Sequence, residues 1–389
     1  MTNKILITFC SVFVLFTGCN SGEHQEFGGH GYCDSTNIYF INFQKYVENT
    51  MMDTCTINAI AKNISFIPLE TSRDALFTTA GCKVAAIHGN YYIWAEILHR
   101  KGIMEFDSEG RFVKYLVTFG RGPNELPIIF EFTYNTQQLV ASSLREMVVH
   151  SFENKAIHKC NFGGSMFAFI NLLNDGTIVG IPWGGTDIPY FYFRNQEGEI
   201  LKSVYHLPQH DLFSSVAKHR GSYRHNLSRT YDGCVLFREL FCDTIYRIRS
   251  MDDIEPYIIA HRGTLAYTEE DSKSQTAIPK IKIGNILETP KHFFIRYDYN
   301  GYHSAVFDKQ RLSFIADTKI DTTRIENRII SSATVFTKYR TPKGKVIHVG
   351  ISSYNNGKLY GILNAEEAKE FLSGVDEFDN PLIMCIDLK

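Results

Sequence analysis

Short apolar runs separated by turn residues recur along the chain from about residue 90 to its C-terminus. The first unit contains Tyr91–Trp94 and Gly102–Asp107, followed by a third run, Arg111–Val117. Between the last two lies Asp107–Gly110, whose aspartate, serine and glycine are typical of a hairpin turn. Runs of this length, rich in Val, Ile, Phe and Tyr, predict β-strands.

This unit occurs six times, and its runs begin near residues 91, 138, 177, 233, 292 and 345. Steps of roughly 40 to 60 residues fit the four-stranded blade of a β-propeller. Six stacked blades bury the sheet faces that one blade alone would expose. A solenoid or a β-sandwich is the competing interpretation, but the repeat is too long for a β-helix rung and six units exceed one sandwich. The sequence therefore predicts an all-β protein, with a six-bladed β-propeller of four-stranded blades over residues 59–389.

The two ends of the propeller are predicted to meet. Asn63–Leu69 alternates like a strand and is placed to complete the last blade and close the ring, with Pro68 tolerated at its end. The exception to the β pattern is Asn364–Leu372, predicted as a short helix because Asn364 is a suitable N-cap and acidic residues follow it. A final strand, Leu382–Ile386, comes after it.

Charge and composition exclude some functions. The chain has 40 basic and 42 acidic residues, a net charge of -2, and 44% apolar residues. No half of the sequence is strongly basic, so nucleic-acid binding lacks electrostatic support. The apolar fraction argues against disorder. No cofactor motif is present, and we expect none to be bound.

The N-terminus is predicted to be a lipoprotein signal. Lys4 precedes the mostly apolar run Ile5–Phe16, which is too short for a transmembrane helix but fits a secretory signal. Small residues then lead to Cys19, as in the bacterial lipobox. We expect a signal peptide over 1–18, a tether and N-terminal extension over 19–58, and a lipid at Cys19 that anchors the protein to the cell envelope, at the outer membrane. An ordinary cleaved signal peptide with a chance cysteine is the alternative.

Nine cysteines are present, and seven remain beyond the signal segment and Cys19. An odd number cannot all pair within one chain. No Cys-x-x-Cys or Cys/His metal spacing appears, so most are expected to be buried small apolar residues. Cys33 with Cys55 is the candidate disulfide in an oxidising compartment.

Several landmarks together resemble the six-bladed β-propeller lipoproteins of Bacteroides and their relatives, whose architecture is similar to that of NHL-type propellers. They are Ile67–Thr71, Phe106–Phe112, Gly120–Glu125 and Cys242–Tyr246. The resemblance runs from about residue 60 to the C-terminus. It implies a propeller that binds partners, without a settled biochemical activity. The chain departs from this pattern at Arg324–Arg328, where many relatives carry an Asn- and Asp-rich segment.

Catalytic motifs are absent from the sequence. Gly120–Glu125 is not a phosphate loop, because that loop needs Gly-Lys-Ser/Thr opening a helix. It is predicted to be an inter-blade turn clamped by Arg121 and Glu125; the alternative places Arg121 at the central channel. There is no Gly-x-Ser-x-Gly elbow and no His-Glu-x-x-His, so neither catalytic nor metal-binding residues are predicted. The basic segment Lys218–His225 is expected to be a solvated loop.

The best candidate site follows from propeller topology. The loops that join the second to the third strand of each blade share one face with the inter-blade loops, and both tryptophans of the chain fall there. Aromatic rings beside polar groups suit a sugar or a peptide, although they could equally shield the core. The candidate ligand-binding residues are Trp94, Glu96, Arg100, Arg121, Glu125, Arg145, Trp183, Arg238, Tyr299 and Tyr302. The Ser352–Asn356 loop is predicted to belong to this set in the last blade.

Three hypotheses on function remain open. The first is a non-catalytic binding or scaffolding propeller in the envelope that engages a glycan, a peptide or an envelope protein through this face. The second is a polysaccharide hydrolase or lyase that uses the same face, which two carboxylates about 5–10 Å apart in a cleft would favour. The third is a purely structural envelope subunit. All three are compatible with the fold.

Overall fold

Six sheets follow one another along the chain and form the six blades of a propeller. The computed structural model describes residues 30–49, 56–77, 82–97, 100–163, 166–183, 189–207, 225–274, 278–320 and 335–389. Each blade contains four antiparallel strands, to which three of the sheets add further strands. The predicted all-β, six-bladed fold is confirmed.

Blades one to five are each built from consecutive strands, which follow one another from the axis outwards. Blade one has β4 (Lys83–Ile87), β5 (Asn90–Ile97), β6 (Arg100–Phe106) and β7 (Phe112–Phe119), with β8 (Glu125–Leu126) added beside β7. Blade two has β9 (Glu131–Tyr134), β10 (Gln138–Ser142), β11 (Glu146–Ser151) and β12 (Ile157–Asn161). Blade three has β13 (Phe167–Leu172), β14 (Ile178–Pro182), β15 (Phe191–Arg194) and β16 (Ile200–Val204). Blade four has β17 (His225–Arg229), β18 (Val235–Glu239), β19 (Thr244–Ile248) and β20 (Ile254–His261), and blade five has β21 (Lys282–Glu288), β22 (His292–Asp298), β23 (Tyr302–Asp308) and β24 (Ser313–Lys319). A short helix α2 (Glu269–Ser274) lies between blades four and five.

The sixth blade joins the two ends of the chain. Its strands are β26 (Val346–Asn355), β27 (Lys358–Leu363), β28 (Leu382–Leu388) and the N-terminal β3 (Ala61–Pro68), which pairs antiparallel with β28. This pairing is the ring closure that the alternating pattern of β3 predicts. An additional strand, β25 (Val335–Arg340), pairs with the first half of β26, whereas β27 pairs with the second half.

Six apolar clusters, one at each interface between neighbouring blades, form the core of the described part of the chain. Successive side chains of a strand point to opposite faces, so each blade feeds two clusters. In β5, for example, Ile93 packs against the sixth blade and Tyr92 against the second. Burying a side chain of this size stabilises the fold by about 1.5–3 kcal/mol, so blade stacking supplies most of the driving force.

The chain before the propeller also packs against it. Strand β1 (Gly31–Cys33) pairs with β2 (Tyr39–Asn42), and β2 extends blade four by pairing in parallel with β20. Helix α1 (Phe43–Asn49) follows and buries Phe43 and Tyr46 in the cluster between blades four and five. Part of the region predicted as tether and N-terminal extension therefore belongs to the folded body.

The predicted turns and helix of the propeller are present. Asp107 Oδ1 accepts hydrogen bonds from the backbone N–H groups of Glu109 (3.0 Å) and Arg111 (2.9 Å), as expected of an aspartate that opens a hairpin turn. Asn364 caps α3 (Ala365–Ala368), and its side chain accepts from Glu366 N at 3.3 Å. This helix is shorter than the predicted span, because turns replace it after Ala368.

Candidate functional site: the loop face and the axial cavity

One face of the disc, termed the loop face, carries the connections β5–β6, β10–β11, β14–β15, β18–β19 and β22–β23. Neighbouring strands are antiparallel, so the first strand of a blade begins at the face where the second strand ends. Lys83, the first residue of β4, is accordingly opposite Trp94 near the end of β5. Residues that begin the innermost strands and residues that end the second strands therefore share the loop face.

A cavity lies on the propeller axis, where the innermost strands meet. The volume that the centres of water molecules can occupy in it is about 90 Å³. By the same measure, one ordered water needs roughly 10–15 Å³. It therefore has room for several waters or one small polar group, and a larger ligand has to lie across its mouth. Its lining includes residues of all six blades, among them Lys83, Glu131, Thr133, Asn171, Ser228, Arg229, Glu288, Ser352 and Tyr354.

Polar side chains connect several innermost strands, or the turns that follow them, to the neighbouring blade. Ser352 Oγ accepts from Val84 N at 2.9 Å, and Asn135 Nδ2 donates to Leu173 O at 3.1 Å. Arg229 bridges two blades in the same way, through a backbone carbonyl of blade three. These strands have no further strand towards the axis, so side chains satisfy part of their backbone edge. The cavity is polar for this structural reason.

Two lysine–glutamate pairs hold the carboxylates of the cavity lining. Lys83 of blade one binds Glu131 of blade two, and its ammonium lies 5.4 Å from the centre of the Trp94 ring. Both charged side chains are about nine-tenths buried. The pair therefore joins two blades at the loop face.

The second pair belongs to blade five. Glu288 accepts from Lys309 and from the Tyr257 hydroxyl of blade four, the latter at 2.7 Å. Burial raises the pKa of Glu288 and lowers the pKa of Lys309, because both charges have left water. Each of these two glutamates is thus engaged by a lysine.

Three arginines lie near one another on the loop face, at blades four and five. Arg238 is near the end of β18 and only 7% exposed, Arg262 follows β20, and Arg296 is in β22. Burial lowers the pKa of Arg238 to about 9, and the positive charges of Arg262 and Arg296 contribute to this shift. Positive charge is thus concentrated in a largely buried position of this face.

A fourth polar group resembles a catalytic arrangement but is fully buried. Asp317 accepts from the hydroxyls of Tyr297 (2.5 Å) and Tyr46 (3.0 Å), and His303 Nδ1 lies 3.2 Å from its other oxygen. The His303 and Asp317 side chains are 3% and 2% exposed. Burial and the Asp317 charge raise the pKa of Tyr297. Since Tyr46 belongs to α1, this group attaches the N-terminal helix to blade five.

The Gly120–Glu125 segment is the predicted inter-blade turn. Glu125 Oε2 accepts from the backbone N–H groups of Arg121 (2.9 Å) and Gly122 (2.8 Å). Gly120 has φ +156°, and a Cβ on it would lie 2.0 Å from the same carboxylate oxygen. The clamp is therefore Glu125 on backbone groups. The Arg121 side chain is exposed and is not among the residues that line the axial cavity.

The other predicted site residues differ in their exposure to solvent. Trp94 is 3% exposed and belongs to the core between blades one and two, so it offers no platform to a ligand. Trp183 is half-buried, with its ring 6.1 Å from that of Phe130. Arg145 is exposed, Tyr302 is 37% exposed, and Tyr299 is half-buried. The accessible part of the predicted face is thus carried by blades two, three and five.

Several predictions fall on residues or side chains outside the described part of the structure. Glu96 and Arg100 lie at the ends of β5 and β6, but only their backbone is described. Cys19, residues 218–224 of the basic segment and residues 324–328 lie outside the described ranges. Cys55 does as well, and Cys33 is a free thiol among the described cysteines.

The prediction for the Ser352–Asn356 loop is wrong. The second half of β26 lines the cavity through Ser352 and Tyr354, so it is the innermost strand of its blade. Asn355 Nδ2 donates to Ala86 O, near the end of β4, at 2.5 Å. The β26–β27 turn therefore lies at the face opposite the loop face. The apolar run that begins near residue 345 is predicted to be the second strand of the last blade. In the structure it is the first half of β26, and it pairs with β25.

Comparisons with known proteins agree with this architecture. Residues 38–387 match the family described as Domain of unknown function (DUF4934). The chain belongs to the DUF4934 family. The match begins at β2, so the family includes the N-terminal strand and helix that pack on blades four and five.

Solved structures that are similar to this DUF4934 chain share little sequence identity with it. A Bacteroides fragilis protein classed as exported shares 14% identity, with a TM-score of 0.63 over 87% of this chain and 98% of its own. A DUF4221 member from Bacteroides vulgatus shares 12%, with a TM-score of 0.48 over 85% and 97%. Virginiamycin B lyase from Staphylococcus aureus shares 11%, with a TM-score of 0.45 over 84% and 100%. No match is found among curated proteins. The similarity to the Bacteroides fragilis protein supports the fold alone.

Two kinds of feature are absent from the described residues of this DUF4934 protein. No described helix has the length and apolar character needed to cross a membrane. No group of three His, Cys, Asp or Glu side chains in the described ranges is arranged to hold a metal ion.

Proposed function

We propose that the protein is an exported binding propeller whose ligand docks on the loop face, over the mouth of the axial cavity. The observation that carries the proposal is the presence of charged groups on this face, around the cavity and at blade four. Lys83 and Glu131 begin innermost strands, and Arg238 lies near the end of a second strand on the same face. Charged and hydrogen-bonding groups that meet at a concave opening are typical of ligand sites.

Export and anchoring rest on the N-terminal sequence. The signal-like segment and Cys19 favour a lipid anchor in the bacterial envelope, with the outer membrane as its place. The similarity to an exported protein of Bacteroides fragilis agrees with export. The resemblance to Bacteroides lipoproteins points the same way. Mass spectrometry of the membrane fraction tests this: a diacylglyceryl group on Cys19 is expected, and an unmodified thiol would contradict anchoring.

Binding is favoured over hydrolysis by the state of the carboxylates. Glu131 and Glu288 line the cavity, and each forms a salt bridge with a lysine. A glycosidase needs one carboxyl group that holds a proton and a second that is free to act as base or nucleophile. Both glutamates are already engaged by lysines, so neither is free to act as base or nucleophile.

A glycan and peptide array tests the proposal. We expect selective binding to a few ligands, weakened at least tenfold by Trp183→Ala or Arg145→Ala, because both side chains are accessible on the loop face. Arg311→Ala is the matched control, since this exposed arginine lies in the β23–β24 turn on the opposite face. Equal loss in the control, or binding indifferent to both loop-face changes, would contradict the proposed face. Cleavage of a bound glycan would show that the protein is a hydrolase or lyase and would contradict a purely binding function.

A further inference from the structure

The guanidinium of Arg238 is largely buried, and two of its three nitrogens lack an acceptor among the described residues. Its Nε and Nη1 atoms are inaccessible to solvent and have no hydrogen-bond partner among the residues that the structure describes. The residue is 7% exposed and lies in β18 opposite Asn226, one residue before the cavity-lining Leu227. Asn226 in turn binds Asn285 of blade five. Arg238 therefore lies on the loop face, near the interface between blades four and five.

Its neighbour Arg262 is only partly satisfied. Arg262 Nε binds Asp243 at 2.5 Å, and Nη1 donates to the carbonyl of Leu240 in the loop that follows Arg238. Its Nη2 is buried and has no partner within the described ranges. Arg238 and Arg262 therefore both have buried N–H groups without a hydrogen-bond acceptor among the described residues. Buried polar groups are almost always paired.

Among the described residues, the charges around Arg238 do not balance. Asp243 neutralises Arg262, and Arg296 adds a further positive charge within electrostatic range of Arg238. Glu239 acts in the opposite sense, as the weakest of the influences on Arg238. The Arg238 pKa of about 9 means that the group is still charged at neutral pH. An uncompensated buried charge is strongly destabilising, and a bound counter-charge removes that cost.

We propose that Arg238, with Arg262 beside it, is the binding site for one oxyanionic group of the ligand: a carboxylate, a sulfate or a phosphate. Guanidinium groups form short, charge-assisted hydrogen bonds to such oxygens. The site deepens the proposed function and rests on it, because it predicts that the ligand on the loop face is an acid. The rest of the ligand extends over the axial opening.

The test measures oxyanion binding to the purified protein and two variants. Sodium sulfate, phosphate and acetate are titrated against the protein in a chloride buffer of constant ionic strength, by calorimetry and by thermal unfolding. The variants are Arg238→Gln and, as matched control, Arg311→Gln, an exposed arginine in the β23–β24 turn on the opposite face. We expect saturable binding of at least one anion to the wild type and to the control, and at least a tenfold loss in Arg238→Gln.

Thermal unfolding gives a second, independent result. Arg238→Gln is expected to melt at or above the wild-type temperature in chloride, because it removes an unpaired buried charge, and to lose the specific upward shift that the anion gives the wild type. General salt effects of sulfate act on all variants alike and cancel in the comparison. Unchanged anion binding in Arg238→Gln would overturn the proposal, as would the absence of saturable binding to the wild type. If Arg238→Gln fails to fold, Arg238→Lys takes its place in the experiment. We then expect weakened anion binding, and undiminished anion binding would contradict the proposal.

The outcomes separate this site from the proposed function. A neutral array ligand that depends on Trp183, together with no oxyanion binding, would leave the function standing and remove the anion site. Oxyanion binding that depends on Arg238, without any array ligand, would support the anion site and leave the proposed glycan or peptide binding without support. Where both hold, the acidic saccharides and acidic peptides of the array show which molecule carries the group.

Discussion

Replacing Lys309 by methionine should destabilise the propeller strongly, because it leaves the charge of Glu288 buried without its partner. The two side chains are 6% and 1% exposed. Removing one member of a buried ion pair costs about 3–5 kcal/mol, a large part of a total stability of about 5–15 kcal/mol. Lys309→Met also loses the 2.8 Å hydrogen bond to Thr289 O. We expect a loss of about 4 kcal/mol in the free energy of unfolding at pH 7, measured by urea denaturation.

The pH dependence of this variant distinguishes lost charge from lost packing. Burial already raises the pKa of Glu288 above its ordinary value of 4.5, and without Lys309 it must rise further. The native state then keeps a proton that the unfolded state has released, so stability falls as the pH increases above 4.5. The deficit of Lys309→Met should therefore shrink as the pH is lowered from 7 towards 5.

Two controls complete the design. Lys202→Met removes an exposed lysine that binds Asp252 at 2.8 Å, and such surface pairs are worth at most about 1 kcal/mol. The double variant Glu288→Gln/Lys309→Met should recover most of the loss, because neither charge remains. A Lys309→Met protein within about 1 kcal/mol of the wild type at pH 7, or one whose deficit is independent of pH, would refute the reasoning.

Two further predictions concern the attachments of the chain ends. Tyr46→Phe removes the hydroxyl that binds Asp317, so it should cost about 1.5–3 kcal/mol and accelerate amide hydrogen exchange in α1; unchanged exchange there would show that this contact does not hold the helix. Asn380→Ala removes side-chain hydrogen bonds to Phe77 N (3.1 Å) and to Ala75 O (2.7 Å) from a residue only 1% exposed. Its loss should lower the free energy of unfolding by roughly 2–4 kcal/mol, and a chemical denaturation midpoint equal to that of the wild type would contradict this.

The middle strands of the blades could be predicted from the sequence because both of their faces are buried. Runs such as Tyr91–Trp94 and His292–Ile295 are largely apolar and stand out between their turns. The innermost strands are harder to recognise. Glu131–Tyr134 and Lys282–Glu288 contain charged residues, since one edge of each lines a polar cavity. Lys83, which begins the innermost strand of blade one, could not be recognised as a site residue for this reason.

Long-range pairing accounts for the other differences. Nothing local in Tyr39–Asn42 shows that it extends blade four, because its partner strand β20 is far away along the chain. The position of β26 depends on a register shift between Ile351 and Ser353. Trp94 is buried because it lies on the side of β5 that faces blade two. The unbalanced charge at Arg238 depends on residues that only the fold brings together.

Binding through the loop face is the central claim of this account. Its most direct test is a crystal structure of the protein grown with the tightest ligand from the array. Electron density for the ligand is expected across the axial opening on the loop face, with an acidic group against Arg238. Density at the opposite face, around the Asn355–Gly357 turn, or on the outer strands of the blades would contradict the claim.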